Sequence, residues 1–162
     1  MRKLSEMGLA SINGLIGEAL DSAGAHVRRV KNIVVAGNTV MTHLPLQIEP
    51  RHIRRTPYIP TVAEFPILEA GTIGLKAHPA AAVFVMPGPA SYVGGDIVAG
   101  VLLSGLHREA PLTLFLDVGT NGEIVLGNHE WMLTAACSAG PAFEGGGIRW
   151  GMRAEAGAVE NT

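Results

Sequence analysis

Leu4, Met7, Ile12, Leu15, Ile16, Ala19 and Leu20 recur at helical spacing and predict an amphipathic helix over residues 3–23, with Gly24 as its C-terminal stop. Asn32 to Ala36 reads as a short buried strand. Gly37-Asn38-Thr39 then opens a helix from Val40 to Leu44, ended by Pro45. Between Leu46 and Pro66 the prolines at Pro50, Pro57, Pro60 and Pro66 interrupt every period, which predicts an extended surface connection with at most edge strands. That connection is expected to cross between lobes, dividing a helix–strand–helix segment in residues 1–66 from a second lobe in residues 67–162.

In the second part, Gly71 to Leu75 and Ala81 to Met86 are predicted strands, and Pro87-Gly88-Pro89 closes the latter. Ile97, Val98, Val101, Leu102 and Leu106 form one stripe of a helix predicted over Ser91 to Leu106, with Asp96 at the positive end of its dipole. Leu112, Leu114 and Leu116 then alternate with Thr113, Phe115 and Asp117, and an apolar run resumes from Ile124 to Leu126. Asn121-Gly122 between the two runs is a strong hairpin signal. A third strand is predicted over Trp131 to Ala136, and Ser138 with Pro141 begins a short helix that stops at Gly145-Gly146-Gly147. Three consecutive strands make an antiparallel meander with a helix to cover it, and the alternation elsewhere makes the whole α/β.

Composition narrows the class. Nearly half of the 162 residues are apolar and only 16% are charged, while 21 glycines and 10 prolines call for many tight turns in a globular chain. A net charge of −2 supplies no field for nucleic acid. Cys137 is the single cysteine, so this chain can build neither an internal disulfide nor a cysteine-held iron–sulfur cluster or zinc site. No apolar run reaches the roughly 18 residues of a membrane span, and no leader pattern opens the chain. A cytoplasmic protein with no membrane partner is expected.

The hairpin is the first candidate for chemistry. Gly119 and Gly122 let backbone amides approach phosphate oxygens, Thr120 and Asn121 add hydrogen-bonding side chains, and Asp117 is placed to position a hydrated cation. The same residues also describe an ordinary Asn-Gly hairpin with a turn-capping aspartate. Asp96, in the first turn of its helix, reads as a helix-capping carboxylate. Gly37-Asn38-Thr39 is either an anion-binding helix start or a plain N-cap. Gly145, Gly146 and Gly147, beside Glu144, are either a nucleotide contact or a helix stop. The histidines show no metal-ligand spacing, and no phosphate-binding Gly-x-x-x-x-Gly-Lys or Gly-x-Gly-x-x-Gly fingerprint occurs. Arg51, His52, Arg54 and Arg55 form a basic cluster, either a solvated loop or a dock for an acidic partner.

Four segments in order carry a resemblance: Val35 to His43 (VAGNTVMTH), Tyr92 to Gly100 (YVGGDIVAG), Leu116 to Gly127 (LDVGTNGEIVLG) and Gly140 to Gly147 (GPAFEGGG), continued by Gly151 to Ala154 and Gly157 to Val159. Together they resemble the C-terminal domain of the reductive activators of corrinoid proteins, in the superfamily of acetate and sugar kinases, heat-shock chaperones and actin. The resemblance implies a ribonuclease-H-like, actin-like ATPase lobe, incomplete relative to the two-lobe fold. It implies ATP with Mg2+ as cofactors, the metal held through water by Asp117, and Asp96 as a catalytic carboxylate orienting the attacking water. It also implies a corrinoid protein as partner and an iron–sulfur donor outside this chain.

The first phosphate loop of the superfamily is expected upstream of residue 1, so the chain reads as an interior piece whose own ATP turnover is weak or absent. The alternative is a non-catalytic partner-binding or oligomerising module that retains the fold, and exposed apolar surface makes a homo-oligomer the expectation.

Overall fold

The computed structural model describes residues 1–119, 121–138, 140, 142–153 and 155–157. They form two compact units, Met1–Ser104 and the residues from Gly105 onward. No helix among the described residues is long and apolar enough to cross a membrane.

The first unit is built on a three-stranded sheet. Helix α1 (Arg2–Ser22) leads into strand β1 (Asn32–Val35) and helix α2 (Thr39–His43); strand β2 (Leu68–Glu69) runs into helix α3 (Ala70–Ile73); strand β3 (Ala82–Val85) precedes helix α4 (Gly95–Ser104). The strand order is β1-β3-β2, with β1 parallel and β2 antiparallel to β3. Ile33 and Val35 of β1, with Val83 and Val85 of β3, share one face, as the period of two requires. Leu9, Ile12 and Ile16 of α1 pack on the core that this face forms with Ala70, Leu75 and Ala81. Each fully buried valine contributes about 1.5–3 kcal/mol. Asn13 fastens α1 from the side: its Nδ2 donates to Gly74 O at 2.8 Å and its Oδ1 accepts from Lys76 N–H at 2.7 Å.

Several sequence expectations are corrected here. Leu4, Met7 and Leu15 of the predicted α1 stripe are exposed, whereas its Ile12 and Ile16, joined by Leu9 from outside the stripe, pack on the core. Gly71 to Leu75 is not a strand, because Ala70 N–H already bonds Ala81 O and Thr72 Oγ1 bonds Glu69 O, winding the segment into α3 until Gly74 ends it at φ +78°. The helix expected from Ser91 begins only at Gly95, since Ala90 and Val93 pair with each other first, and it ends before Gly105 at φ +75°. The proline-rich stretch is no bridge between lobes. Leu46 and Phe65 pack on the first unit's core and Ile53 is buried, so the compact units divide at Ser104/Gly105 rather than at 66/67.

The second unit is an antiparallel meander. Strands β4 (Thr113–Val118), β5 (Asn121–Gly127) and β6 (Met132–Ser138) lie in sequence order. The register stacks Leu114, Leu126 and Leu133 across one face, followed by Leu116, Ile124 and Ala135. Gly127 lets β5 meet β6 closely: a Cβ there would fall 2.3 Å from Trp131 O. Strand β6 runs to Ser138, so that residue ends a strand instead of opening a helix; a π-type turn follows at Ala142–Gly146, broken by Gly145 at φ +98°.

Candidate functional site

The hairpin of the second unit brings Asp117 and Glu123 together. They are direct partners in the β4–β5 ladder, so both carboxylates project from one face, alongside Phe115 and Val125. Both are half-buried. Sequence reasoning passes over Glu123; its signal is its place six positions after Asp117 across a reversal that joins two apolar runs.

The reversal comes earlier than Asn121-Gly122 predicts. Val118 pairs with Gly122, and Gly119 N–H donates to Asn121 O at 2.9 Å, so Asn121 and Gly122 open β5. The Gly119 amide is thereby engaged inside the turn, and Asn121 stands exposed at its edge. Thr120 lies outside the described residues. Gly122 serves strand packing, since a Cβ would come within 3.3 Å of Cys137 Sγ, which donates to Gly122 O at 3.5 Å. Further along, Gly145 has a left-handed backbone and sits where a Cβ would approach Gly151 O to 3.0 Å, whereas Gly147 has open space around it. Gly146 closes the π-type turn.

Asp96 belongs to the first unit, in the opening turn of α4. Its Oδ1 accepts from Ile97 N–H at 2.9 Å, and its own N–H donates to Gly37 O at 3.3 Å. Gly94 and Gly95 permit this approach: a Cβ on Gly94 would lie 2.6 Å from Asn38 Cα, and one on Gly95 would lie 2.5 Å from Met86 O. These two glycines therefore allow backbone to meet backbone at the C-terminal ends of β1 and β3. Asn38 caps α2 by accepting from Met41 N–H at 2.9 Å, the plain N-cap role.

His43, at the end of α2, is fully buried. Its Nδ1–H donates to Thr39 O at 2.7 Å and its Nε2 accepts from Val62 N–H at 3.4 Å, while Phe65 meets the ring edge-on at 6.0 Å between centroids. Burial pushes the imidazole below its ordinary pKa, partly opposed by the bond to Thr39, and the ring is a neutral structural tie. The carboxyl of Glu49 is held below the usual range chiefly by the Arg51 backbone N–H. Among the described residues no group of three or more histidine, cysteine or acidic side chains is arranged to hold a metal ion.

Comparison with known proteins accounts for both units. Residues 1–109 match the family model of the RACo middle region, and residues 111–162 match that of the C-terminal domain of RACo, the ASKHA domain. The corrinoid activation enzyme RamQ of Eubacterium limosum is 32% identical over 160 residues, covering 99% of this chain and 27% of the relative. A [Co(II) methylated amine-specific corrinoid protein] reductase of Methanosarcina barkeri is 36% identical over 77 residues, 48% of this chain and 14% of the relative. A solved structure of a reductive activator for a corrinoid, iron–sulfur protein superposes with a TM-score of 0.87 at 50% identity, covering 97% of this chain and 25% of that one. The chain thus spans about a quarter of the length of the relatives that it matches end to end. With a mixed α/β architecture and both family models met in order, the chain belongs to the family of reductive activators of corrinoid proteins, matching their middle region and their C-terminal ASKHA domain.

Proposed function

We propose that this chain supplies part of the nucleotide-binding machinery of an activator that uses ATP to drive one electron from a reduced iron–sulfur centre onto Co(II) of a corrinoid protein, giving Co(I). The donor centre lies outside this chain, whose single cysteine builds no cluster. One observation carries the reading: a carboxylate at the mouth of a tight hairpin, Asp117, with Glu123 as its direct cross-strand neighbour, inside the segment that matches the ASKHA domain.

Two half-buried carboxylates side by side repel one another, and a hard cation relieves that repulsion. The donor set therefore fits Mg2+, with Asp117 holding it through water and Glu123 completing the negative rim. Bound there, the metal supplies charge neutralisation to the phosphates. Asn121 offers a side-chain amide to phosphate oxygens, and the open surroundings of Gly147 let backbone approach the nucleotide. In this reading the meander belongs to a ribonuclease-H-like lobe. For Asp96, whose Oδ1 holds the Ile97 amide, the proposed role is to orient an attacking water. The exposed thiol of Cys137 suits a reducing cytoplasm.

The test is an anaerobic assay of the protein containing these residues, with a reduced iron–sulfur donor, Mg-ATP and a Co(II) corrinoid protein, followed by the absorbance of Co(I). Cobalt reduction is expected to require ATP and to fall about 100-fold or more in Asp117→Ala. Equal rates without ATP, or an unimpaired Asp117→Ala protein, overturn the reading.

A further inference from the structure

The basic cluster that no nucleotide role absorbs lies beside an exposed aromatic pair. Tyr58 and Tyr92 sit 6.0 Å apart between ring centroids, tilted by 51°, and are 47% and 54% exposed. Ile59 beside them is 64% exposed. Arg54 and Arg55, just before Tyr58 in the chain, are exposed and have no carboxylate partner among the described residues, whereas Arg51 pairs with Glu49 at 3.2 Å.

The patch is held in shape from below. Ile53 is buried as an anchor, Tyr58 N–H donates to Arg55 O at 2.6 Å, and Ser91 Oγ donates to Tyr58 O. Tyr58 itself has φ +60°, a left-handed conformation that is costly for a bulky side chain and persists only where its surroundings impose it. A large residue kept at such a position, with its ring half in solvent, is poorly explained by packing. Rigid tyrosines next to unpaired arginines are the composition of a protein-binding hot spot, because they bring apolar area and charge at little entropic cost. The tilted rings offer no parallel slot for a base, and the net charge of −2 argues against a nucleic-acid strand.

We infer that Arg54, Arg55, Tyr58 and Tyr92 form a docking surface for an acidic face of the corrinoid protein, a claim that rests on the function proposed above. The tyrosines provide the contact area and the arginines steer the encounter, so binding weakens with salt.

The test measures the affinity of the activator carrying these residues for its corrinoid protein by calorimetry, at low and at moderate salt. Arg54→Glu/Arg55→Glu and Tyr92→Ala are each expected to weaken binding about tenfold or more, and the arginine pair variant to lose most of the salt dependence. Tyr58→Gly removes the ring while relieving the left-handed backbone, so its melting temperature should hold or rise as affinity falls. ATP hydrolysis without partner is expected to stay unchanged in all three. Affinities within about threefold of wild type in all three variants overturn the docking surface. A wild-type protein that binds no corrinoid protein sinks the functional reading as well, which keeps the two failures apart.

Discussion

Asp117 stands directly opposite Glu123 across the β4–β5 ladder, so one face of the hairpin presents two carboxylates next to each other. Like charges at a direct cross-strand pair cost about 0.2–1 kcal/mol. Asp117→Asn is therefore expected to leave the melting temperature equal to wild type or slightly higher, while ATP-dependent cobalt reduction collapses. Calorimetric melting beside the activity assay checks both halves. A clear drop in melting temperature would show that Asp117 is a turn cap after all.

Asp96 separates its two readings through one conservative change. Asn retains an oxygen for the Ile97 amide, so Asp96→Asn should keep the helix start within a few tenths of a kcal/mol, whereas Asp96→Ala should cost about 1 kcal/mol. If the carboxylate orients water, Asp96→Asn loses turnover about as fully as Asp96→Ala does. Turnover that survives in Asp96→Asn assigns the residue to capping alone, and urea titration with steady-state hydrolysis distinguishes the cases.

His43 makes the first unit sensitive to acid. Its folded pKa lies below the ordinary value of 6.5, so the unfolded chain takes up the proton first. Its contribution to stability is complete above that ordinary value and is lost as pH falls toward the lowered one. Urea midpoints measured between mildly alkaline and mildly acidic pH should decline below about pH 6.5. His43→Gln should be less stable at neutral pH and show a flatter profile.

Glycines in this chain divide into two kinds by their surroundings. Gly94→Ala and Gly95→Ala would force a methyl into backbone at 2.6 and 2.5 Å and should cost about 1–3 kcal/mol. Gly14 and Gly17, inside α1, have nothing within 4 Å of the place a methyl would take, and Ala at either should stabilise by about 0.5–1 kcal/mol. Thermal unfolding of the four variants tests the contrast, and the same sign for both pairs would refute it.

Local chemistry alone determined much of this protein. The period-two valines and isoleucines of β1 and β3, the Asn38 cap and the alternating leucines before Asp117 all act through neighbours close in sequence, and each appears in the structure near its expected place. The order of family motifs was legible for the same reason. Tertiary structure decided what depends on partners far along the chain. Which stripe of α1 is buried was set by the sheet and by Asn13 reaching Gly74 and Lys76. Ala70 to Ile73 became a helix because Ala81 claimed the Ala70 amide. The boundary between units fell at Ser104 because Leu46, Ile53 and Phe65 are drawn into the first unit by burial, against a proline pattern that locally reads as linker. Register, above all, turned Asp117 and Glu123 into neighbours: a one-residue slip would send them to opposite faces, and the cross-strand match of Leu114, Leu126 and Leu133 with the turn at Gly119 selects between the two.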